Sequence, residues 1–238
     1  MAIEIEMTAA RGLPFRVGAF ESVEDGLHAQ EGLAEHAGEA PLLFAWRTPR
    51  GLIVGRTDTR LPGFEAAVER LAKEGWPVIV RRSGGSACPV SPGTLQIALA
   101  RPVVPRMSID ATYEELVDLI ARLLRTYGLE AEAGEKPDAF CPGRYDMSVA
   151  GRKLVGMSQH WRQWHGAPTA TTAATLIVDE DLVELSRIVD LFYETAGGTL
   201  RCSPEAVGSV RQALGASAPD GALLQQDLVE RLSAIGIG

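Results

Sequence analysis

The apolar stretches of this chain are short, strand-length runs gathered in clusters, and amphipathic helices interrupt them at uneven intervals rather than in strict β–α alternation. That arrangement predicts an α+β fold with a mixed, largely antiparallel sheet flanked by helices, and disfavours a doubly wound parallel sheet. Residues 42–46 and 52–54 are apolar runs separated by Thr48-Pro49-Arg50-Gly51, a turn composition that reads as a hairpin. A strand at 77–80 and another at 94–100 bracket a segment, 81–93, rich in Gly, Ser and Pro, which reads as a loop held between core strands. Residues 145–159 read as two strands around Ala150-Gly151-Arg152, with a third at 170–178.

Helical spacing is plain elsewhere. Phe64, Ala67, Val68 and Leu71 recur up to a stop at Gly75, while Tyr113, Leu116, Leu119, Ile120, Leu123 and Tyr127 follow an i, i+3, i+4, i+7 pattern between Asp110 as N-cap and Gly128. Residues 26–40 read as a solvent-facing helix and loop, and 179–196 as a further helix. Ser203-Pro204-Glu205 opens a helix expected to end near Gly215, and 223–235 forms the last one. With no repeat, and no composition break before about Cys202, the expectation is a single domain over 1–238 with a short helical C-terminal extension from about 200, too short for its own core.

Composition removes several classes. Apolar residues are 46% and charged residues 23% of the chain, values of a soluble globular protein rather than a disordered, fibrous or membrane one. A formal charge of −8 disfavours duplex nucleic acid as a partner, since a basic footprint supplies most of that affinity. Cys88, Cys141 and Cys202 form no CxxC pair and cannot all pair within one chain, which fits reduced thiols. The start, with Glu4 and Glu6, lacks the basic and apolar regions of a signal peptide, and no run is long and apolar enough for a membrane span. A cytoplasmic location is expected.

Three segments can carry chemistry. In Arg81-Arg82-Ser83-Gly84-Gly85-Ser86-Ala87, two cations precede a glycine pair whose exposed backbone N–H groups can approach an anion or acyl carbonyl; by composition it is equally an ordinary strand connection. It is neither a Walker A loop nor a GxGxxG fingerprint. In Phe140-Cys141-Pro142-Gly143-Arg144-Tyr145-Asp146, Cys141 sits on a turn with Arg144, Arg152 and Lys153 nearby in sequence, the setting of a thiolate nucleophile, although a lone cysteine is more often core filler. Cys88 and Cys202 take that plainer reading. In Gly151-Arg152-Lys153-Leu154-Val155-Gly156-Met157-Ser158-Gln159, Lys153 follows the turn, and composition alone makes it a solvated surface charge. His28, His36, His160 and His165 have no metal-ligand spacing; His160 and His165 flank Trp161 and Trp164, and surface aromatics account for them. GxSxG is absent, and no third group orients a Cys–His pair.

Taken in order, Gly55-Arg56-Thr57-Asp58-Thr59-Arg60-Leu61-Pro62, Val80 to Gly85, Cys141-Pro142-Gly143-Arg144-Tyr145-Asp146-Met147-Ser148 and the Gly151 to Gln159 run resemble successive signatures of the lipoate-protein ligase, biotin ligase and octanoyltransferase superfamily. The resemblance covers residues 40–215 and is strongest to cysteine-dependent octanoyl or lipoyl transferases of the lipoyl amidotransferase branch. It implies a biotin/lipoate ligase-like catalytic domain, an acyl intermediate on Cys141, and Lys153 against the acyl carbonyl. Arg81, Arg82, Ser83, Gly84 and Gly85, with Gly156 and Ser158, would bind substrate. A thiolate would attack an activated or amide-linked octanoyl carbonyl, and an acceptor lysine would resolve the acyl-enzyme.

The implied partners are lipoyl domains, namely the glycine cleavage H protein and the E2 subunit of 2-oxoacid dehydrogenases, with acyl carrier protein as a further donor; nucleic acid and membrane are excluded. No cofactor or metal is required. Ser86, Val90 and Ser91 stand where ligases carry a third glycine and His-Asp, Gln96 replaces a usual asparagine, and the chain has no room for a further C-terminal domain, which weakens the ligase alternative with its ATP and magnesium. A non-catalytic lipoyl-domain or carrier-protein binder is the other alternative. Arg81, Arg82, Arg144, Arg152, Lys153 and Arg162 predict a locally basic mouth if their loops converge.

Overall fold

The computed structural model describes residues 6–10, 13–37, 40–164 and 167–235. In chain order the elements are β1 (Glu6–Ala10), β2 (Leu13–Ala19), α1 (Val23–His36), β3 (Leu42–Arg47), β4 (Gly51–Val54), α2 (Phe64–Lys73), β5 (Val78–Val80), β6 (Cys88–Val90) and β7 (Thr94–Pro102). There follow α3 (Ile109–Arg125), β8 (Glu132–Ala133), β9 (Met147–Val149), β10 (Arg152–Trp164), β11 (Ala167–Ile177), α4 (Leu182–Ala196), α5 (Val210–Leu214) and α6 (Gly221–Ile235). Eight strands form one sheet in the order β1-β2-β3-β7-β11-β10-β9-β8, and β5-β4-β6 form a second. Only β2–β3 and β4–β5 are parallel among the described strand pairs. The chain is thus α+β with a mostly antiparallel sheet, as its uneven element spacing predicts.

The central strands β3 and β7 are continuous apolar runs because both faces are covered. Leu43, Ala45, Leu95, Ile97 and Leu99 pack against Leu116, Leu119, Ile120 and Leu123 of α3. On the other face Phe44, Trp46, Ala98 and Ala100 meet Val23 and Leu27 of α1. Leu224, Leu228 and Leu232, one face of α6 at a four-residue spacing, join the α3 side of the same core. A third apolar cluster joins β4, α2 and α4 to Phe140 and Cys141. No helix among the described residues is long and apolar enough to cross a membrane.

Four local expectations are corrected. Residues 42–46 and 52–54 do not pair as a hairpin: both edges of β3 are occupied, by β2 and β7, so Thr48 to Gly51 passes the chain to the smaller sheet, where β4 pairs with β5 and β6. The 81–93 segment is not loop throughout, because Cys88 to Val90 adds a strand to β4. Ser108, not Asp110, caps α3, its Oγ accepting the Ala111 N–H at 3.0 Å; the Asp110 carboxylate instead accepts the Tyr145 hydroxyl. The helix expected from Ser203 to Gly215 is split: a 3₁₀ turn at Pro204–Ala206 ends where Val207 extends to bridge Lys153, and Ser209 then caps the short α5. Gly208 donates its N–H to the Lys153 carbonyl at 2.9 Å, a bond a continuous helix would forfeit.

Candidate active site

Between β9 and β10, Ala150 and Gly151 take φ values of 49° and 75°, the conformation of a two-residue hairpin turn. The turn sets Lys153 opposite Ser148, and a register shift between Lys153 and Val155 bulges the strand. The Lys153 side chain is thereby aimed inward and is only 1% exposed, which overturns its reading as a surface charge. Its ammonium donates to the carbonyls of Phe140 at 2.8 Å and Cys141 at 2.7 Å, and pairs with Asp146 Oδ2 at 2.7 Å. An ammonium has three donors, so all are engaged.

Asp146 is as buried as its partner and also accepts the N–H groups of Gly143 at 2.7 Å and Met157 at 3.2 Å. Burial raises its carboxyl above the usual range, against the pull of the Lys153 cation and those N–H groups. The consequence is local: the 140–146 loop is fastened at both ends. Cys141 sits in it at φ 46°, a left-handed conformation uncommon for a residue other than glycine, and is itself buried.

The opposite wall is the segment from Arg81 to Ala87. Arg81 is buried and folds back on its own loop, donating from Nε to the Gly84 carbonyl at 3.0 Å and from Nη2 to the Ser86 carbonyl at 2.8 Å. The same Nη2 lies 3.4 Å from Cys141 Sγ, so a fixed cation stands against the sulfur. Gly85, at φ 100°, cannot carry a side chain: a Cβ there would run into Arg81 Nη2 and sit 3.0 Å from Cys141 Sγ. Gly55 is likewise held bare by the Gly85 carbonyl. Behind this wall Asp58 accepts the Gly55 N–H at 3.0 Å and the Tyr193 hydroxyl at 3.0 Å, while that hydroxyl accepts the Ala87 N–H at 2.9 Å. Ser83 Oγ and Ser158 Oγ, 3.2 Å apart, link the two walls.

Arg81, Ser83, Cys141, Gly156 and Ser158 therefore line one narrow cleft of about 40 Å³, and Cys88 lines it too. Burial, with Cys141 adding, pushes the Cys88 thiol up to about 11, and burial followed by Asp190 pushes Cys202 up to about 12, so both remain thiols at neutral pH. A Cβ at Gly84 would meet open space, and Arg82 is turned to an ion pair with Glu31 at 3.2 Å. The basic mouth expected from the sequence is largely neutralised. Arg144 pairs with Asp110, Arg162 with Glu35 and the Glu31 carbonyl, and Arg152 reaches Gln212 instead of the cleft.

His36 Nδ1 lies 3.2 Å from the Gly32 carbonyl of its own helix, and His165 lies outside the described residues. Among the described residues no group of three or more His, Cys, Asp or Glu side chains is placed to hold a metal. Sequence reasoning missed Asp146, Asp58 and Tyr193 as supports. Asp146 carried a signal, a carboxylate three residues after a glycine in the cysteine turn; Tyr193 carried none, since it reads as one more apolar position of α4.

Comparison with known proteins adds a family to this geometry. The family model described as Lipoyl protein ligase A/B catalytic domain matches residues 22–232. An octanoyl-GcvH:protein N-octanoyltransferase of Bacillus velezensis is 36% identical over 176 residues, 74% of this chain and 59% of that protein. A lipoyl-GcvH:protein N-lipoyltransferase of Listeria monocytogenes is 31% identical over 153 residues, 64% of this chain and 54% of that protein. The chain thus spans somewhat over half the length of these two curated relatives. A crystal structure of lipoate-protein ligase A bound with ATP superposes with a TM-score of 0.70 at 20% identity, covering 94% of this chain and 82% of the other, a likeness of fold.

Proposed function

The chain belongs to the lipoyl protein ligase A/B catalytic domain family, and from that premise we propose that it is an acyltransferase that carries an octanoyl or lipoyl group on Cys141 and delivers it to the lysine of a lipoyl domain. The observation that carries this reading is the placement of Cys141 Sγ 3.4 Å from the Arg81 guanidinium, in a cleft, on a loop held in a left-handed conformation by Lys153 and Asp146. A fixed guanidinium beside the sulfur faces the negative charge that passes between sulfur and acyl oxygen as the carbonyl is attacked. Relatives named for transfer from acylated GcvH support a lipoyl-domain donor; acyl carrier protein is a second candidate donor, and E2 lipoyl domains are candidate acceptors.

In this mechanism the thiolate attacks the acyl carbonyl, the donor's amine or thiol leaves, and the acceptor lysine resolves the acyl-enzyme. Arg81 and the exposed N–H groups around Gly84 and Gly85 are the donors available to the oxyanion. Lys153 acts behind the nucleophile: with its three N–H groups engaged, it orients the Cys141 carbonyl and leaves the acyl oxygen to the Arg81 wall. The acyl group arrives already joined to a carrier, so its transfer needs no nucleotide, and the enzyme works in the cytoplasm, where its thiols stay reduced.

The test is intact-protein mass after incubation with an octanoylated lipoyl domain or octanoyl carrier protein, without ATP. One added octanoyl group on the parent, and none on Cys141→Ser, is expected. Loading that requires ATP and magnesium indicates a ligase, and transfer by Cys141→Ser at the parent rate removes the acyl-cysteine step.

A further inference from the structure

The cleft leaves Cys141 in two directions. Inward, its walls include Trp46, Ile53, Met157 and Ala174, a lining suited to an acyl chain. Outward, it continues as a polar recess that shares Arg81, Ser83 and Ser158 with the first part and ends at Glu31 and His160. Strand alternation explains the alignment: Gly156, Ser158 and His160 of β10 project to one face, paired with Thr175, Ala173 and Thr171 of β11. Ser158 is midway, about 6.7 Å along the strand from each of its two same-face neighbours. An amine brought over Ser158 has the sulfur end of the cleft on one side and the imidazole on the other.

We infer that this outward recess is the approach of the acceptor lysine, and that His160 is the general base that takes a proton from its amine as the nitrogen attacks acylated Cys141. The inference rests on the acyltransferase reading. Among the described residues neither ring nitrogen of His160 makes a hydrogen bond, so both are open to a ligand. Burial lowers the imidazole below its ordinary range; Glu31 on α1 opposes this, and Arg162, Arg82 and Arg56 act with burial. The ring is therefore neutral at pH 7 and has a lone pair with which to take a proton from the attacking amine. The same arginines disfavour the ammonium once it is inside, which eases the transfer.

The step balances. The neutral amine forms the C–N bond at the thioester carbon while His160 takes one of its two protons; the C–S bond breaks, and the departing sulfur receives that proton from the imidazolium as Cys141 is regenerated as thiol.

The full-length enzyme, loaded with octanoyl from a small octanoyl thioester, is mixed in single turnover with an apo lipoyl domain or with hydroxylamine, which is neutral at pH 7 and needs no base. His160→Gln is expected to slow transfer to the lipoyl lysine by about 10²-fold, the scale of general-base catalysis, and to leave transfer to hydroxylamine unchanged. In both proteins the lysine reaction rises with pH as the free amine fraction grows, about tenfold per pH unit. In the parent the rise is steeper below the imidazole titration, where His160 is protonated, and the variant loses that extra steepness. Parent-like lysine transfer by the variant, or equal loss with both nucleophiles, overturns the role of His160. A parent enzyme that never takes up octanoyl overturns the transferase reading and this inference with it.

Discussion

The two walls of the cleft are each organised by a buried carboxylate, but by opposite means. Asp58 works with a neutral phenol and one backbone N–H, whereas Asp146 works with the Lys153 ammonium. The difference follows from what each wall must present. The Arg81 wall presents backbone, so its left-handed position can be glycine, Gly85, and dipoles suffice to hold it. The other wall must present a thiol from a left-handed position, where glycine is no use. Such a conformation costs about 1–3 kcal/mol, and the ammonium's bonds to two successive carbonyls offset it.

Removing the cation should break the charged wall first. Lys153→Ala leaves Asp146 buried without its partner, and urea denaturation should show a loss of about 3–5 kcal/mol, with acyl loading lost as the loop relaxes. The double variant Lys153→Met, Asp146→Leu should recover much of that stability without recovering loading. A single-variant loss under about 1 kcal/mol would mean that the pair does not hold the loop.

On the neutral wall, Tyr193→Phe leaves the Asp58 carboxylate and the Ala87 N–H each short of one partner. The expected cost is about 1–3 kcal/mol in the same denaturation assay, with loading retained. A larger cost than that of Lys153→Ala would invert the comparison. Cys141→Gly sharpens it further, since relief of the left-handed conformation offsets the lost side-chain burial. Its stability should stay within about 1 kcal/mol of the parent although loading is abolished.

The smallest effect separates the two cleft cysteines. With its thiol pushed up to about 11 by burial, Cys88 resists ionisation in the folded chain, so stability falls as pH rises from the ordinary thiol range toward that value. At pH 8 only about one Cys88 in 10³ is thiolate. Cys88→Ala should therefore leave the rate of iodoacetamide labelling at Cys141 unchanged, as read by peptide mass.

The sequence speaks clearly where the signal is local. Helices α2, α3 and α4 and strands β7, β10 and β11 lie where periodicity and turn residues put them, and the Cys141 and Lys153 motifs flank one hairpin, so their meeting follows from short-range geometry. It is silent where partners are distant. That β3 pairs with β2 and β7 rather than with β4 depends on strands whose order no local pattern encodes. Tyr193 meets Asp58 across 135 residues. Lys153 misleads for another reason: composition treats lysine as solvated, and only the bulge in β10 together with Asp146 makes its burial possible.

The extended Val207–Gly208 pair, which breaks the helix expected there, closes onto the backbone of Lys153 itself. The wall that carries Cys141 is thus assembled from three distant stretches of chain. Every side chain of both walls lies before the end of α4, yet the Lys153 carbonyl finds its backbone partner only in the Gly208 N–H that follows it. Completing the wall therefore ties the C-terminal segment to the strand that holds the lysine.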